Sequence, residues 1–217
     1  MPSLCPRAHA HGALADTPGG YFLATDFLDL GATGGGSGRS LAAKLAELHT
    51  TPAPIPDGQT APAFGFPVPT CCGPTVQDNS WHAAWADFFA DCRLRHILGA
   101  AERANGRDAA LAGAVERTAA AVVPRLLGAE VLKDVRPVVV HGDLWSGNHG
   151  RGSISGQGGA EEVVFDPSCV YGHSEYELGI MRMFGGFDAA FWTAYKKLVP
   201  PSEPADEYED RLVLYEL

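Results

Sequence analysis

Two apolar stretches of the chain each end at a carboxylate, and a polar amide side chain lies between them. Val138–Val140 leads through a His-Gly pair to Asp143, and Asn148 follows five residues later. Residues 163–165 lead directly to Asp166. One carboxylate can orient a hydroxyl group while an amide and a second carboxylate hold Mg²⁺, and phosphoryl transfer depends mainly on such positioning and charge neutralisation. These residue types and their spacing therefore indicate a phosphoryl-transfer site.

Two short strands must position these residues. Three consecutive valines predict a buried strand before Asp143, and Pro167 ends the second strand because it cannot donate to the ladder. The alternative is two ordinary polar strand ends, since a single Asp in such a place is commonplace. The combined order of Asp, Asn and Asp favours a site. This order resembles the catalytic and metal loops of the kinase superfamily, and His-Gly-Asp resembles its small-molecule branch, which includes aminoglycoside and choline phosphotransferases.

The composition predicts a soluble intracellular protein of one domain or two small ones, because the chain has 217 residues. A net charge of −10 argues against a nucleic-acid groove or a basic membrane-binding patch, so neither partner is expected. Five cysteines without a Cys-x-x-Cys pair favour reduced thiols and a cytoplasmic location. The sequence has no apolar run long enough to span a bilayer, and its first residues lack an apolar signal core.

The first part of the chain divides into an arm, a strand and a helix. Residues 1–20 have no periodicity and predict a disordered or irregular arm. Residues 21–30 predict a strand, whose edge we expect to be unpaired. The Gly- and Ser-rich residues 33–40 could form a phosphate loop, but without the P-loop Lys and a following parallel strand they favour a flexible connector. A helix follows, with Leu41 and Leu45 on its apolar stripe.

Helices predominate in the rest of the sequence. A stripe at 4-3-4 spacing predicts a second helix, capped by Asn79 or Ser80. The stripe consists of Trp81, Trp85, Phe88 and Cys92. A third helix runs over about residues 111–126 and is broken or bent by Pro124 near its end. A helix after Asp166 ends at a pair of glycines, and two more helices follow, from about 187 to 198 and from about 204 onward.

Several blocks of the sequence together resemble fructosamine-3-kinase and its ketosamine (ribulosamine) kinase relatives, from about residue 21 to the end. The most specific blocks are His-Gly-Asp-Leu-Trp-Ser-Gly-Asn at 141–148 and Tyr-Gly-His-Ser-Glu at 171–175. The other matching blocks are Phe64-Gly65-Phe66, Thr70-Cys71-Cys72-Gly73, Asn79-Ser80-Trp81, Trp85-Ala86-Asp87-Phe88-Phe89 with Arg93-Leu94, Phe165-Asp166-Pro167-Ser168 and Phe184-Gly185-Gly186-Phe187.

The resemblance implies an α+β fold of the protein-kinase type, with a mostly helical C-terminal lobe that carries a small catalytic β-hairpin. It implies an ATP- and Mg²⁺-dependent enzyme that phosphorylates the sugar 3-hydroxyl of ketosamines on glycated lysines, as a step of deglycation repair. Carried over by position, Asp143 is the base or orienting group for the hydroxyl. Asn148 and Asp166 are the metal ligands.

The resemblance also assigns supporting roles. His141 braces the catalytic loop rather than moving protons, and Trp145 forms a wall of the sugar pocket, unless it is a packed core residue. Of Glu175 and Glu177, the second occupies the place where kinase-like folds have an acidic residue that braces the catalytic loop, so both are expected to be structural. Residues 26–28 (Asp26, Phe27 and Leu28) match the inter-lobe hinge, where backbone groups bond adenine.

The sequence departs from the family pattern at both ends. The Gly-rich phosphate cover, the strand Lys and its helix Glu partner have no counterpart before Tyr21. The expected domains are therefore the arm at 1–20, a remnant of the N-terminal lobe at 21–30 and the helical lobe at 31–217. Without those phosphate-binding groups, we expect the 217-residue chain to be weakly active or inactive.

Three other functions remain open on the sequence alone. A pseudokinase-like remnant could bind metal or sugar adducts without turnover. A kinase for another small hydroxyl compound, such as an aminoglycoside or choline, would share Asp143, Asn148 and Asp166 but not the blocks around Trp145 and 171–175. A metal hydrolase could use His141, Asp143 and His149, although His149 would point away from Asn148 in an extended segment.

Overall fold

The computed structural model describes residues 4–31, 38–155 and 157–217. Its strands are β1 (Ala8–Ala13), β2 (Tyr21–Thr25), β3 (Leu28–Asp29), β4 (Thr70–Cys72), β5 (Thr75–Gln77), β6 (Val138–Val140), β7 (His149–Ile154), β8 (Gln157–Val164) and β9 (Val170–Gly172). Its α-helices are α1 (Leu41–Thr50), α2 (Trp85–Phe88), α3 (His96–Asn105), α4 (Ala109–Arg117), α5 (Val123–Leu127), α6 (Ser174–Phe184), α7 (Ala189–Leu198) and α8 (Tyr208–Tyr215).

The helices surround several small antiparallel sheets, which is the mixed α+β architecture predicted from the sequence. The strands are ordered β1-β2, β3-β7-β8, β4-β5 and β6-β9. The short helix Ser146–Asn148 lies between β6 and β7. Residues 33–37 of the Gly-rich segment, which could form a phosphate loop or a connector, lie outside the described residues.

The strand β6 has one fully buried face because its neighbours there are apolar. Val138 and Val140 are buried, and β6 pairs with β9 so that Val140 lies opposite Val170. One apolar cluster, which includes Trp85 and Phe88, packs on these strands. A second cluster forms between α1, α6, α7 and α8. Its buried members include Leu41, Leu45, Leu144, Val164, Leu178, Met181, Tyr195 and Leu212.

The second helix differs from its prediction at both its start and its geometry. It begins at Trp85 with Ala84 at the N-cap position and no side-chain cap, so the predicted cap by Asn79 or Ser80 is wrong. The Asn79 amide instead donates to the Val68 carbonyl and to the Thr70 hydroxyl. A π-helical segment, Phe89–Arg95, then joins α2 to α3, which a 3.6-residue pattern cannot anticipate.

The other helix ends follow the predicted signals more closely. A π-helical segment, Thr118–Val122, leads without a break into α5. Pro124 therefore lies inside a continuous helical run, next to a local change in helix geometry. Helix α6 ends at Gly185, which has a φ of +66°, as the paired glycines predict. Helices α7 and α8 match the last two predicted helices.

The N-terminal residues differ from the irregular arm expected over 1–20. Strand β1 pairs antiparallel with β2, with Ala13 opposite Tyr21. The strand at 21–25 therefore has a partner that its sequence did not reveal. An Ala-, His- and Gly-rich segment has little β-propensity, so pairing with β2 rather than local preference accounts for this strand. Every residue of β2 is exposed.

The Asp26 carboxylate fastens this hairpin to the β7–β8 turn. It accepts hydrogen bonds from the Arg7 backbone N–H at 2.9 Å and the Ser155 hydroxyl at 2.9 Å, and its Oδ1 lies 2.8 Å from His9 Nε2. The His9 contact first, and then the Arg7 and Ser155 bonds, lower the pKa of Asp26 to about 2. The hairpin is therefore held by polar contacts to one ionised carboxylate rather than by a buried core.

We predict that the β1–β2 hairpin loosens as the pH falls from about 4 to about 2. The folded pKa of Asp26 lies below its ordinary value, so its contribution is present above that ordinary value and is lost as protonation proceeds through the folded pKa of about 2. The Arg7 amide resonance in a ¹H–¹⁵N NMR titration should report this step. Asp26→Asn should abolish it, whereas Asp29→Asn, at an acid that accepts from Gly31 N–H, should leave it unchanged. An Arg7 titration that persists in Asp26→Asn would contradict the assignment.

Candidate active site

The loop after β6 can approach the loop after β8 because Gly142 has no side chain. Gly142 has a φ of +80°, and a Cβ atom there would lie 2.1 Å from the carbonyl oxygen of Ser168. Any other residue would clash with that backbone and would also be strained at this φ. The glycine of the His-Gly-Asp sequence therefore brings the two carboxylate-bearing loops into contact.

The Asn148 side chain joins the three predicted site residues. Its buried amide nitrogen Nδ2 donates to the Asp143 carbonyl at 2.8 Å and to Asp143 Oδ2 at 3.2 Å. The same nitrogen lies 3.4 Å from the Asp166 carbonyl. Since Nδ2 is the donor end of the amide, its Oδ1 atom remains available as an oxygen ligand. The residues at 143, 148 and 166 thus converge on one place.

The His141 ring also connects the two loops. Its Nε2 lies 2.9 Å from the Phe165 carbonyl, and its Nδ1 accepts from the Asp143 backbone N–H at 3.3 Å. A neutral ring with its proton on Nε2 satisfies both contacts. Both ring nitrogens are therefore bonded to backbone groups, and His141 braces the loops in this arrangement.

Asp166 presents its carboxylate from an uncommon backbone conformation. Its φ is +56° and its side chain is exposed. Aspartate tolerates the left-handed region better than most residues, yet such a conformation persists only where the surrounding structure fixes it. The Asn148 contact at its carbonyl and Pro167 directly after it restrict the backbone here. The backbone of Asp166 thereby lies beside Asn148, and its carboxylate is unburied.

Opposing influences act on the Asp143 carboxyl group. Burial is the largest and raises its pKa, and the negative charge of Asp166 acts in the same direction. Hydrogen bonds from Cys72 and Asn148 lower it in part, and the net pKa of Asp143 is raised above the ordinary value. The Cys72 thiol is itself kept protonated, because burial and then the charge of Asp143 raise its pKa. It is therefore a hydrogen-bond donor to the carboxylate.

The fully buried Glu177 carboxylate holds the start of the loop. It accepts a hydrogen bond from the His141 backbone N–H and another from the Gly142 N–H at 2.9 Å. Burial alone would raise the pKa of Glu177, but nearby His49 and His141 and the backbone N–H of His141 hold it below its ordinary value. His49 Nε2 lies 3.7 Å from Glu177 Oε2, and His49 Nδ1 bonds the Tyr195 hydroxyl at 2.6 Å.

Two other predicted residues, Glu175 and Trp145, make different contacts from Glu177. Glu175 is buried away from the loop and pairs with Arg211, whose Nε lies 2.7 Å from Glu175 Oε2, and it also accepts from the Ser202 N–H at 2.8 Å. Trp145 is 40% exposed and packs against Phe184 at a ring-centroid distance of 5.9 Å. Trp145 is therefore not a packed core residue.

The predicted hinge residues, 26–28, lie beside the edge of β7 that is opposite β8. Leu28 pairs opposite Ile154 in the β3–β7 ladder. The Asp26 N–H donates to the Arg7 carbonyl, and the Phe27 carbonyl accepts from the Ser155 N–H at 2.8 Å. Two of the backbone groups that were predicted to bond adenine are thus already satisfied within the chain. The adenine assignment of residues 26–28 stays a prediction.

The donor set fits magnesium better than a transition metal. Over the described residues, no cluster of three or more His, Cys, Asp or Glu side chains is arranged to hold a metal ion. An amide oxygen from Asn148 and a carboxylate from Asp166 are hard ligands, and Mg²⁺ typically takes one or two protein oxygens together with phosphates and waters.

The same described residues include no helix long and apolar enough to cross a membrane.

Comparisons with known proteins agree with this geometry. The family model described as fructosamine kinase matches residues 2–217. The chain belongs to the fructosamine kinase family. A probable ketoamine kinase of Synechocystis is 37% identical over 212 residues, which are 98% of this chain and 63% of that protein. A chloroplastic protein-ribulosamine 3-kinase of Arabidopsis thaliana is 32% identical over 97% of this chain and 58% of its own length.

A mouse ketosamine-3-kinase is 38% identical over 156 residues, covering 71% of this chain and 45% of that protein. The chain therefore spans between about half and two thirds of these relatives. The crystal structure of a candidate fructosamine-3-kinase from Haemophilus somnus superimposes with a TM-score of 0.71 at 23% identity, over 98% of this chain and 63% of its own. This similarity confirms the kinase-like α+β fold.

Two residues beside the fructosamine kinase loops were missed by sequence reasoning. Cys72 was treated as an ordinary reduced thiol, although it belongs to a block shared with the family. His49 ends the apolar stripe of α1, and no local pattern indicates that it faces Glu177. All five cysteines are free, but only the folded β4–β5 hairpin reveals that Cys72 reaches Asp143.

We predict that Glu177→Gln lowers the free energy of unfolding by about 2 kcal/mol or more, because an amide cannot accept from both backbone N–H groups and an unsatisfied buried donor costs about 1–3 kcal/mol. Urea unfolding measures the difference. Glu209→Ala, which removes an exposed acid paired with Arg182, should cost less than about 1 kcal/mol. Equal losses of unfolding free energy in the two variants would contradict a particular role of Glu177 in holding the loop.

We also predict that Cys72→Ala raises the pKa of Asp143 further, because a hydrogen bond to its charged form is lost. Carboxyl ¹³C NMR of Asp143 across pH measures the shift. Cys72→Ser retains a donor and should leave the pKa nearer to that of the wild type, and Cys71→Ala serves as the matched control at the exposed neighbour. A shift of the same size in Cys71→Ala would mean that the thiol contact is not the cause.

Proposed function

We propose that this chain carries the catalytic loops of an ATP-dependent kinase that phosphorylates the 3-hydroxyl of ketosamines. The substrates are fructosamine and ribulosamine adducts on protein lysines, and the reaction is a step of protein deglycation in the cytoplasm. The main observation in its favour is that the Asn148 amide nitrogen lies within 2.8 to 3.4 Å of oxygens of both Asp143 and Asp166. Membership of the fructosamine kinase family, and the chain's similarity to a protein-ribulosamine 3-kinase and a ketosamine-3-kinase, support it.

Asp143 has the position and environment of a group that orients the sugar hydroxyl and accepts its proton. Half-burial raises its pKa, which makes the carboxylate a stronger base. The bond from Asn148 Nδ2 restrains the direction of Asp143 Oδ2, so the reacting hydroxyl meets a carboxylate that needs little reorganisation. His141 and Glu177 hold the backbone on which Asp143 lies.

Asn148 and Asp166 would hold Mg²⁺, which when bound neutralises the charge of the phosphates. The contacts of the Asn148 Nδ2 atom and the left-handed backbone of Asp166 support this assignment, because they leave the Asn148 Oδ1 atom and an unburied carboxylate available. For adenine, the proposal requires backbone groups in residues 26–28 other than the Asp26 N–H and the Phe27 carbonyl.

The ketosamine substrate is favoured over other small hydroxyl compounds by residues outside the shared set. An aminoglycoside or choline kinase would need Asp143, Asn148 and Asp166 equally. The exposed Trp145 beside them and the 171–175 block instead match the ketosamine kinases. In the proposed organisation, residues 31–217 form the helical lobe, 21–30 form the hinge strand and 1–20 precede it.

We predict that Asp143→Asn lowers the rate of ketosamine phosphorylation by about 10²–10⁴-fold, the usual contribution of a general base. Transfer of ³²P from ATP to a lysine ketosamine, with Mg²⁺ present, measures the rate. Asp206→Asn, an exposed acid at the start of the 3₁₀ turn before α8, should match the wild type. Retained activity in Asp143→Asn would refute the role of this carboxylate.

Turnover and binding together separate the remaining alternatives. A wild-type chain that binds the ketosamine and Mg²⁺·ATP without transferring phosphate would be a catalytically impaired module. Transfer to an aminoglycoside or choline at a rate above that for ketosamine would replace the proposed substrate. Asp166→Ala should abolish Mg²⁺-dependent nucleotide binding, and unchanged binding would remove the metal assignment.

A further inference from the structure

Two aromatic side chains next to the catalytic loop are exposed in contact with each other. Phe184 is 60% exposed, Trp145 is 40% exposed, and their ring centroids lie 5.9 Å apart with the planes tilted by 51°. Met183, beside Phe184, is 50% exposed. Single exposed apolar residues are ordinary, but a contiguous exposed group suggests a surface that binds something. Trp145 and Phe184 together form an exposed aromatic pair.

Two glycines allow close packing around Trp145. The Trp145 ring lies so near Gly147 that a Cβ atom there would come within 2.1 Å of it. Gly186 has a φ of +91°, and a Cβ atom there would lie 2.4 Å from the Ser146 Cβ. The turn that ends α6 is therefore packed on the turn that carries Trp145. The Trp145 ring is packed on its own turn although it is not buried.

The aromatic pair also borders the proposed base. Trp145 follows Asp143 by two residues, and its carbonyl accepts from the Asn148 N–H at 2.9 Å. The Trp145 backbone therefore belongs to the same turn as Asn148. Phe184 is in contact with the Trp145 ring and enlarges the exposed aromatic surface of that turn.

A ketosamine has the chemistry to use such a surface. Its sugar carries a secondary amine, protonated at neutral pH, and the amine continues into an alkyl arm, which is the lysine side chain in a glycated protein. An ammonium group is attracted to the face of an aromatic ring, and methylene groups pack on it. Among the described residues, the rings of Phe88 and Tyr208 have a protein cation over them, and those of the aromatic pair have none.

We propose that Phe184, together with Trp145, forms the subsite for the alkylammonium arm of the ketosamine, while the sugar lies toward Asp143. This inference rests on the proposed function, and it assigns to Phe184 a role in choosing between ketosamines with long and short arms. Phe184 is a specificity residue in this scheme. It contacts the methylene groups beyond the ammonium, which only a long arm has, whereas Trp145 lies at the ammonium that long and short arms share. Phe184 does not take part in phosphoryl transfer.

Isothermal titration calorimetry with the 217-residue chain tests the subsite without requiring turnover. The probes are the fructosamine of Nα-acetyl-lysine, which has a long arm, and the fructosamine of methylamine, which has a short one. Phe184→Ala should weaken binding of the long-arm adduct about tenfold and of the short-arm adduct less than twofold. Phe184→Leu, which keeps apolar area but has no ring face, should give an intermediate loss.

Leu198→Ala serves as the control, because Leu198 is an exposed apolar residue at the end of α7. It should bind both adducts like the wild type. Phe184 is exposed, so its variants should fold, and thermal melting verifies this. Equal weakening of both adducts in Phe184→Ala, no weakening, or no binding of the long-arm adduct by the wild type would each overturn the subsite.

The same samples separate this inference from the proposed function. If the wild type binds the long-arm adduct and Phe184→Ala does not, the subsite stands even when no phosphate is transferred. Binding without transfer then counts against the kinase activity alone. Where transfer is measurable, Phe184→Ala should raise KM for the long-arm adduct and leave kcat within about twofold, because the arm is bound equally in the ground state and the transition state.

Discussion

The arrangement of the catalytic loop depends on one buried carboxylate, that of Glu177. A carboxylate with no exposure is costly unless hydrogen-bond donors satisfy it. Here the donors are two consecutive backbone N–H groups, those of His141 and Gly142. Because backbone groups cannot be moved without moving the chain, α6 fixes the path of the loop after β6. His49 lies behind the same carboxylate and is itself bonded to Tyr195, so α1 and α7 are tied to the loop as well.

A second constraint follows from the first, because a loop held on one side can support contacts on the other. Gly142 allows the Ser168 carbonyl to approach, and His141 joins the Asp143 N–H to the Phe165 carbonyl. The loop after β8 is thereby fixed to the loop after β6. Such a connection explains how Asp166 can keep a left-handed backbone, which would cost about 1–3 kcal/mol in a free chain.

The sequence predicted the local structure around the candidate site well wherever the signal was local. Val138–Val140 form the buried strand that the three valines predict, and the spacing of the polar residues after it anticipated their convergence. The predictions failed where long-range pairing decides the structure. Strand β1 exists because of its partner, and Asn79 serves the β4–β5 hairpin instead of capping α2. The contact of Cys72 with Asp143 joins residues 71 positions apart, and no local pattern contains it.

In the proposed site, the Asn148 amide would both donate hydrogen bonds and offer an oxygen to a cation. It restrains Asp143 and the Asp166 backbone through Nδ2, and a cation would need its Oδ1 atom. An amide has separate donor and acceptor ends, so the bonds that orient the base also aim the oxygen, and neither duty weakens the other. A carboxylate at 148 could accept a cation but could not donate to Asp143, and it would add a third negative charge beside Asp143 and Asp166. That charge would raise the pKa of Asp143 further and hold its proton more tightly. An amide is therefore the side chain that this arrangement of two carboxylates requires between them.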